Sequence, residues 1–252
     1  MRAPKRQPRE SVSRWLLGCQ LTLFRPLLYG WFKVKMQDSR EWRYPVGPSE
    51  VSIAGIDPAR ILIMGDGPAA GFGVRTHQLG IAGHLARYVA GQTERGVVVT
   101  VAAQPGASAR STLRRFDDME VEGYDAIVLM LATTDAVCLT TRLSWRRTMT
   151  ALVHALESTD ASSVFVTSAA SLHLARPLVP LARRLIGRHA RRLNFETRQI
   201  CSQTETSMIP LNATSDFTSR IYAIWGRRIG THVADSLVRG TLHPPHGVRG
   251  AM

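Results

Sequence analysis

Cysteine is scarce, acidic residues are outnumbered, and no apolar run is long enough to cross a membrane without interruption. The three cysteines, Cys19, Cys138 and Cys201, are too few and too scattered for a disulfide framework. They also lack the paired C-x-x-C spacing of a zinc site. Histidines 77, 84, 154, 173, 189, 232, 243 and 246 make no metal-ligand spacing with carboxylates or cysteines. No metal and no cofactor is therefore expected. The segment most like a membrane span, residues 15–32, is broken by Gln20, Arg25 and Pro26. A span needs about 20 apolar residues, and an arginine at its middle would be costly in hydrocarbon. No small-x-small cleavage site follows it, so it does not read as a secretory signal.

What is present is ordinary in composition and unusual in charge. Of 252 residues, 44% are apolar and 20% charged, which excludes a disordered chain, a collagen-like repeat and a polytopic membrane protein. Thirty-two Lys and Arg against 19 Asp and Glu leave a formal charge of +13. Such a surface is drawn to nucleic acid, anionic lipid or acidic partners. Residues 1–14 are basic and read as an arm, and 15–32 as an amphipathic helix that packs on the domain or lies on anionic membrane. Lys33, Lys35, Arg40 and Arg43 would assist the second role. Pro45, Gly47 and Pro48 mark a linker. The expected division is therefore 1–54 for arm, helix and linker, 55–240 for one domain, and 241–252 for a disordered tail.

Within that domain, short aliphatic runs alternate with longer amphipathic ones. Ile61–Met64, Val97–Val101, Ala126–Leu131 and Val164–Thr167 predict strands buried on both faces, with Ser207–Ile209 a weaker fifth. Helical spacing fills residues 77–91, 143–157, 180–201 and 220–238. Strand–helix alternation with short loops predicts a three-layer α/β/α domain around a five-stranded parallel sheet. In such folds ligands bind beyond the carboxyl ends of the strands.

The first strand leads into Gly65-Asp66-Gly67-Pro68-Ala69-Ala70-Gly71-Phe72-Gly73. A dinucleotide loop is one reading, since Gly65, Gly67 and Ala70 satisfy G-x-G-x-x-G/A. Asp66 would then face the pyrophosphate, and the second strand ends in Val101-Ala102-Ala103-Gln104 without an acid for the ribose. The run instead resembles the G-D-S-x-x-x-G-x-G opening of the SGNH (GDSL-type) hydrolases. Gln104–Ala109 resembles that family's second block and Leu131–Ala136 its G-x-N-D block. Tyr222-Ala223-Ile224-Trp225 resembles the helix that follows its catalytic D-x-x-H loop. The resemblance covers about residues 58–240 and implies the flavodoxin-like fold of that superfamily, with an ester site at the strand ends.

The departures bear on activity. The resemblance implies an activated serine, a histidine that takes its proton, and an oxyanion hole built from backbone amides and an asparagine. Here the serine position is Gly67, the asparagine position Thr134, and the histidine position Asp216 or, with a two-residue gap, Thr218. Gly106 matches the oxyanion-hole glycine, so Gly67, Gly106 and Thr134 are the expected ligand-binding positions. Asp66 and Asp135 form the site scaffold, with capping of loop or helix termini as their plainer role. Thr133 and Thr134 suit helix caps as well as ligand contacts, and Gly71 and Gly73 suit tight backbone. Ser108, Thr133 or Thr134 as nucleophile with Asp216 as base is a conceivable rescue.

The expected function is that of an SGNH hydrolase-like protein without catalysis, a pseudoenzyme binding an acyl-type or small-molecule ligand at the former ester site. The alternatives are an esterase using non-standard residues and a basic interaction protein at a membrane surface. Arginines 184, 188, 191 and 192 recur at helical spacing, but no groove-reading motif or stacking platform accompanies them, so nucleic acid is not expected as a partner. An anionic membrane surface engaged through residues 15–43 is the alternative to packing of that helix on the domain. The expected location is the cytoplasm, with membrane association through that helix as the alternative.

Overall fold

Aliphatic runs that cannot be left in water form the centre of the molecule. The computed structural model describes residues 44–169, 180–212 and 218–242, together with Gly30. Among these residues six strands form one sheet: β1 (Glu50–Ile53), β2 (Ala59–Gly65), β3 (Val97–Ala103), β4 (Ala126–Met130), β5 (Ser163–Thr167) and β6 (Ser207–Ile209), in the order β1-β3-β2-β4-β5-β6. β2 to β6 are mutually parallel, and β1 runs antiparallel along β3. The expected parallel five-stranded sheet is therefore extended by one antiparallel edge strand. That strand falls inside the segment assigned to the linker. Its four residues alternate exposed and buried, with Val51 buried, so it carries no continuous aliphatic signal.

Six α-helices lie against the sheet among the described residues: α1 (Ile81–Thr93), α2 (Ala109–Arg114), α3 (Thr133–Val137), α4 (Arg142–Glu157), α5 (Pro180–Cys201) and α6 (Ser219–Leu242). Successive strand residues point to opposite faces. Leu62, Met64, Ile127 and Leu129 accordingly pack with Trp145, Met149 and Leu152 of α4 and Ile186 and Leu193 of α5. Ile61, Ile63, Val99 and Val128 pack with Leu85 and Val89 of α1 and Tyr222, Trp225 and Ile229 of α6. Within this packing the buried Trp145 indole N–H donates to Thr197 Oγ1 at 3.2 Å. The helix predicted from residue 77 begins at Ile81, because His77–Leu79 form a 3-10 turn that ends in extended backbone at Gly80. No helix among the described residues is long and apolar enough to cross a membrane. The amphipathic segment 15–32, the membrane-contact residues 15–43 apart from Gly30, and residues 243–252 of the tail lie outside the described residues.

Parallel β2, β3 and β4 end together at one edge of the sheet, so the loops after them converge. These are the three segments singled out by motif.

Candidate functional site

Gly65 ends β2 at φ +147°, and a β-carbon there would stand 1.9 Å from the Met130 carbonyl oxygen. Only glycine lets the loop leave the strand this close to β4. Asp66 N–H donates to that same carbonyl at 3.0 Å, and Gln104 N–H donates to the Gly65 carbonyl at 3.0 Å. The loop then closes one turn through Ala70 N–H to Asp66 O and Phe72 N–H to Gly67 O, both 2.9 Å. The mouth of β2 is thus tied to the ends of both neighbouring strands.

The two aspartates of the motif are buried and hold helix N-termini. Asp66 Oδ2 accepts from Thr134 N–H at 3.0 Å, where α3 begins. Burial pushes its carboxyl up to about 7, and the Asp135 charge adds to this against the pull of hydrogen bonds from Thr134 and Thr133. Asp135 Oδ2 accepts from Ala109 N–H, the first residue of α2, at 2.8 Å. Its Oδ1 accepts from Thr140 Oγ1 at 2.7 Å, and burial raises its carboxyl too. Both carboxylates therefore connect loops to one another. Ala132, just ahead of α3, sits at φ +80°, a left-handed position that glycine occupies more readily.

The remaining motif residues are engaged in local structure. Gly106 takes φ +71° in the turn closed by Ala107 N–H to Gln104 O. Ser108 caps α2 in a reciprocal capping box with Ser111. Thr133 and Thr134 are buried in the first turn of α3. Thr218 is exposed, and its carbonyl accepts from Tyr222 N–H in the first turn of α6. Asp216 lies outside the described residues. Gly65, Asp66, Gly106, Thr134 and Asp135 are thus brought together at the strand ends by hydrogen bonds or turns.

Gly67 has a neighbour no spacing rule foresees. A β-carbon on it would lie 3.3 Å from the hydroxyl oxygen of Tyr44 and 3.9 Å from Phe72 Cβ. The Tyr44 hydroxyl is buried and has no hydrogen-bond partner among the described residues. Burial, then the Asp66 charge, keeps its proton on far above the ordinary tyrosine range. The Tyr44 and Phe72 rings meet at 5.8 Å, and Val46 N–H donates to Arg75 O at 3.1 Å. Residues 44–46 therefore form a strap across the β2 loop. Tyr222 completes the enclosure from α6 by donating its hydroxyl to the Phe72 carbonyl.

A serine–histidine contact does occur, away from the motif positions. His84 Nε2 lies 3.1 Å from Ser219 Oγ, joining α1 to the start of α6. The third member of the chain is a cation: Arg87 stands 3.1 Å from His84 Nδ1. A guanidinium only donates, so Nδ1 accepts and the ring proton sits on Nε2, directed at Ser219. Burial, then Arg87, lowers the pKa of the ring. A general base needs the opposite tautomer, with a lone pair facing the hydroxyl. This pair therefore fastens two helices and cannot activate a nucleophile. Among the described residues no three His, Cys, Asp or Glu side chains come together to hold a metal ion.

No family model and no curated protein matches the sequence. Solved structures do match in fold. The lipase/acylhydrolase from Enterococcus faecalis is 18% identical with a TM-score of 0.57, covering 70% of this chain and 96% of its own. A protein assigned to the lipolytic G-D-S-L family from Desulfitobacterium hafniense is 11% identical with a TM-score of 0.52, covering 69% and 98%. An SGNH-hydrolase family esterase is 13% identical with a TM-score of 0.50, covering 62% and 77%. The chain has the α/β fold of the SGNH hydrolases.

Proposed function

We propose that this chain has the SGNH hydrolase fold without its chemistry and works by binding. One observation carries the reading: Gly67 stands where the resemblance places the nucleophile, and the Tyr44 hydroxyl already fills the space before it. A residue without a side chain cannot attack a carbonyl. Removing the nucleophile or base of a triad costs on the order of 10⁶ in turnover. The base is missing as well: residues 213–218 include no histidine, and the Ser219–His84 pair has its proton on the wrong nitrogen. The Asp66 carboxylate is occupied by the N-terminus of α3.

Two binding readings follow from the strap. With Tyr44 seated on Gly67, the site is covered and the protein acts through its surface. A small acyl-type ligand that displaced residues 44–46 from the loop would offer the Tyr44 hydroxyl the hydrogen-bond partner it lacks among the described residues.

The test of lost catalysis is hydrolysis of short-chain p-nitrophenyl esters by the purified full-length chain, with labelling by a fluorophosphonate probe alongside. Wild-type protein is expected to match the buffer rate and take up no label. A Gly67→Ser variant alone is expected to remain silent, and Gly67→Ser with Asp216→His to gain rate if the aligned positions face one another. Wild-type turnover that persists in Gly67→Val and disappears in Ser108→Ala would overturn the proposal and move the nucleophile to Ser108.

A further inference from the structure

Three helices of the outer layer, α2, α4 and α5, are arginine-rich, and the exposed acids on that side, Asp117, Asp118, Glu120 and Glu122, lie in the segment after α2. Those three helices hold eleven arginines and two glutamates. Neither glutamate opposes the arginines on the outer surface. Glu196 is buried and bound by Arg142, and Glu157 accepts from Thr206 at the end of α4.

α5 arranges this charge along one line. Its 22 residues extend about 33 Å at 1.5 Å per residue. Leu185, Ile186, Ala190, Leu193 and Ile200 face the core. Arg184, Arg188, Arg191 and Arg192 recur at three- and four-residue steps on the opposite, exposed face. None of these four is in an ion pair among the described residues. Apolar groups sit within the same stripe: Leu181 is 55% exposed and Phe195 50% exposed. On the adjacent α4, Arg146 and Arg147 are exposed beside Leu143.

We propose that this face of α5, extended by α4, docks on an anionic phospholipid bilayer. Unpaired guanidinium groups suit lipid phosphates, to which they can donate in pairs. Each basic residue near an anionic membrane adds to the attraction, and the effect weakens with salt. The exposed leucines and Phe195 select among polyanions. They gain nothing from a phosphodiester backbone, whereas the boundary between headgroups and acyl chains takes up apolar side chains flanked by arginine. A single-stranded nucleic-acid surface would instead need a row of aromatic rings for stacking, and Phe195 is the one aromatic among the exposed large hydrophobics of this face in the described residues.

The experiment is co-sedimentation of the full-length protein with extruded vesicles. Vesicles of phosphatidylcholine alone are compared with vesicles containing about 30% phosphatidylglycerol, at about 0.1 M salt. Wild-type protein is expected to sediment with the anionic vesicles and stay in solution with the neutral ones. Changing Arg184, Arg188, Arg191 and Arg192 together to Gln is expected to lower the partition coefficient on the order of a thousand-fold. The same four changed to Lys should stay within about threefold of wild type. Leu181→Ser with Phe195→Ser, which leaves the charge untouched, should weaken binding about tenfold. All these positions are exposed, so thermal midpoints should match wild type; should the Gln variant unfold, the apolar pair decides.

Failure of the wild type to bind anionic vesicles overturns the proposal. So does equal binding by the Gln variant, which would move any membrane contact to another segment such as residues 15–43. Tighter binding of a single-stranded RNA than of vesicles, with no effect of Leu181→Ser and Phe195→Ser on either, also overturns it. None of these outcomes depends on whether the strand-end site hydrolyses esters.

Discussion

The hydroxyl of Tyr44 lies 3.3 Å from the position a β-carbon would take on Gly67, closer than such atoms ordinarily pack. The two residues are far apart in sequence, and the contact couples the strap to the motif loop. Gly67 has no left-handed backbone to preserve. Gly67→Ala is therefore expected to cost about 1 kcal/mol through this contact alone. Tyr44→Phe removes a buried hydroxyl without a described partner and should be neutral or stabilising by up to about 1 kcal/mol. In that background Gly67→Ala should become neutral or stabilising, because the clash is gone and the unfolded chain is stiffer. Denaturant unfolding of the two single variants and the double variant measures the coupling. Additive effects would show that the strap does not sit on the loop.

Asp66 should leave a signature in the pH dependence of stability. An unfolded aspartate titrates near 3.9, whereas burial pushes Asp66 up to about 7 in the fold. Between those values the folded chain keeps a proton that the unfolded chain has lost, so stability falls as pH rises through the interval. The raised carboxyl of Asp135 acts with the same sign. Asp66→Asn keeps an acceptor for Thr134 N–H and removes the titration, so its urea midpoint should vary less between about pH 4 and about pH 7 than that of wild type. A wild-type midpoint that climbs steadily across this window would contradict the assignment.

The tautomer of His84 is directly measurable. Arg87 at Nδ1 requires the proton on Nε2, and the lowered pKa keeps the ring neutral to lower pH than an exposed histidine. Nitrogen-15 NMR of the imidazole should report the Nε2–H form at neutral pH. Arg87→Gln should loosen the α1–α6 tie while leaving ester hydrolysis at background. An Nδ1–H ring would restore the possibility that Ser219 is activated.

Gly65 is the least replaceable residue of the loop. At φ +147°, with the Met130 carbonyl 1.9 Å from any β-carbon, the backbone of β4 would have to move. Gly65→Ala is expected to cost about 3 kcal/mol or more, enough to deplete folded protein on expression. A soluble, fully cooperative Gly65→Ala protein with wild-type stability would show that the strand end is not held as described.

Much of this architecture is legible in the chain because burial on both faces leaves a plain trace. Ile61–Met64, Val97–Val101 and Ala126–Met130 are aliphatic almost throughout, and they form the centre of the sheet. The loop glycines and both aspartates could be placed at strand ends for the same reason. β1 escaped notice because Glu50-Val51-Ser52-Ile53 alternates, as an edge strand does, and follows Pro45-Val46-Gly47-Pro48, which imitates a linker. Tyr44 could not be found by spacing. It comes before the whole motif, and its place over Gly67 depends on how the strap crosses the loop. The His84–Ser219 contact is likewise tertiary, and its chemistry turns on Arg87, a residue that carries no motif of its own.

The antiparallel edge also decides where this protein can be cut. β1 covers the outer backbone groups of β3 along Val97–Thr100, a stretch of three valines and a threonine. A fragment begun at residue 55 would keep every parallel strand yet bare that row of N–H and C=O groups on a sticky valine ribbon. Such an edge recruits strands from neighbouring molecules, so the shortened protein should precipitate or form strand-swapped assemblies where one begun before Tyr44 stays dispersed. Four modest residues thus act as a guard rail against self-association.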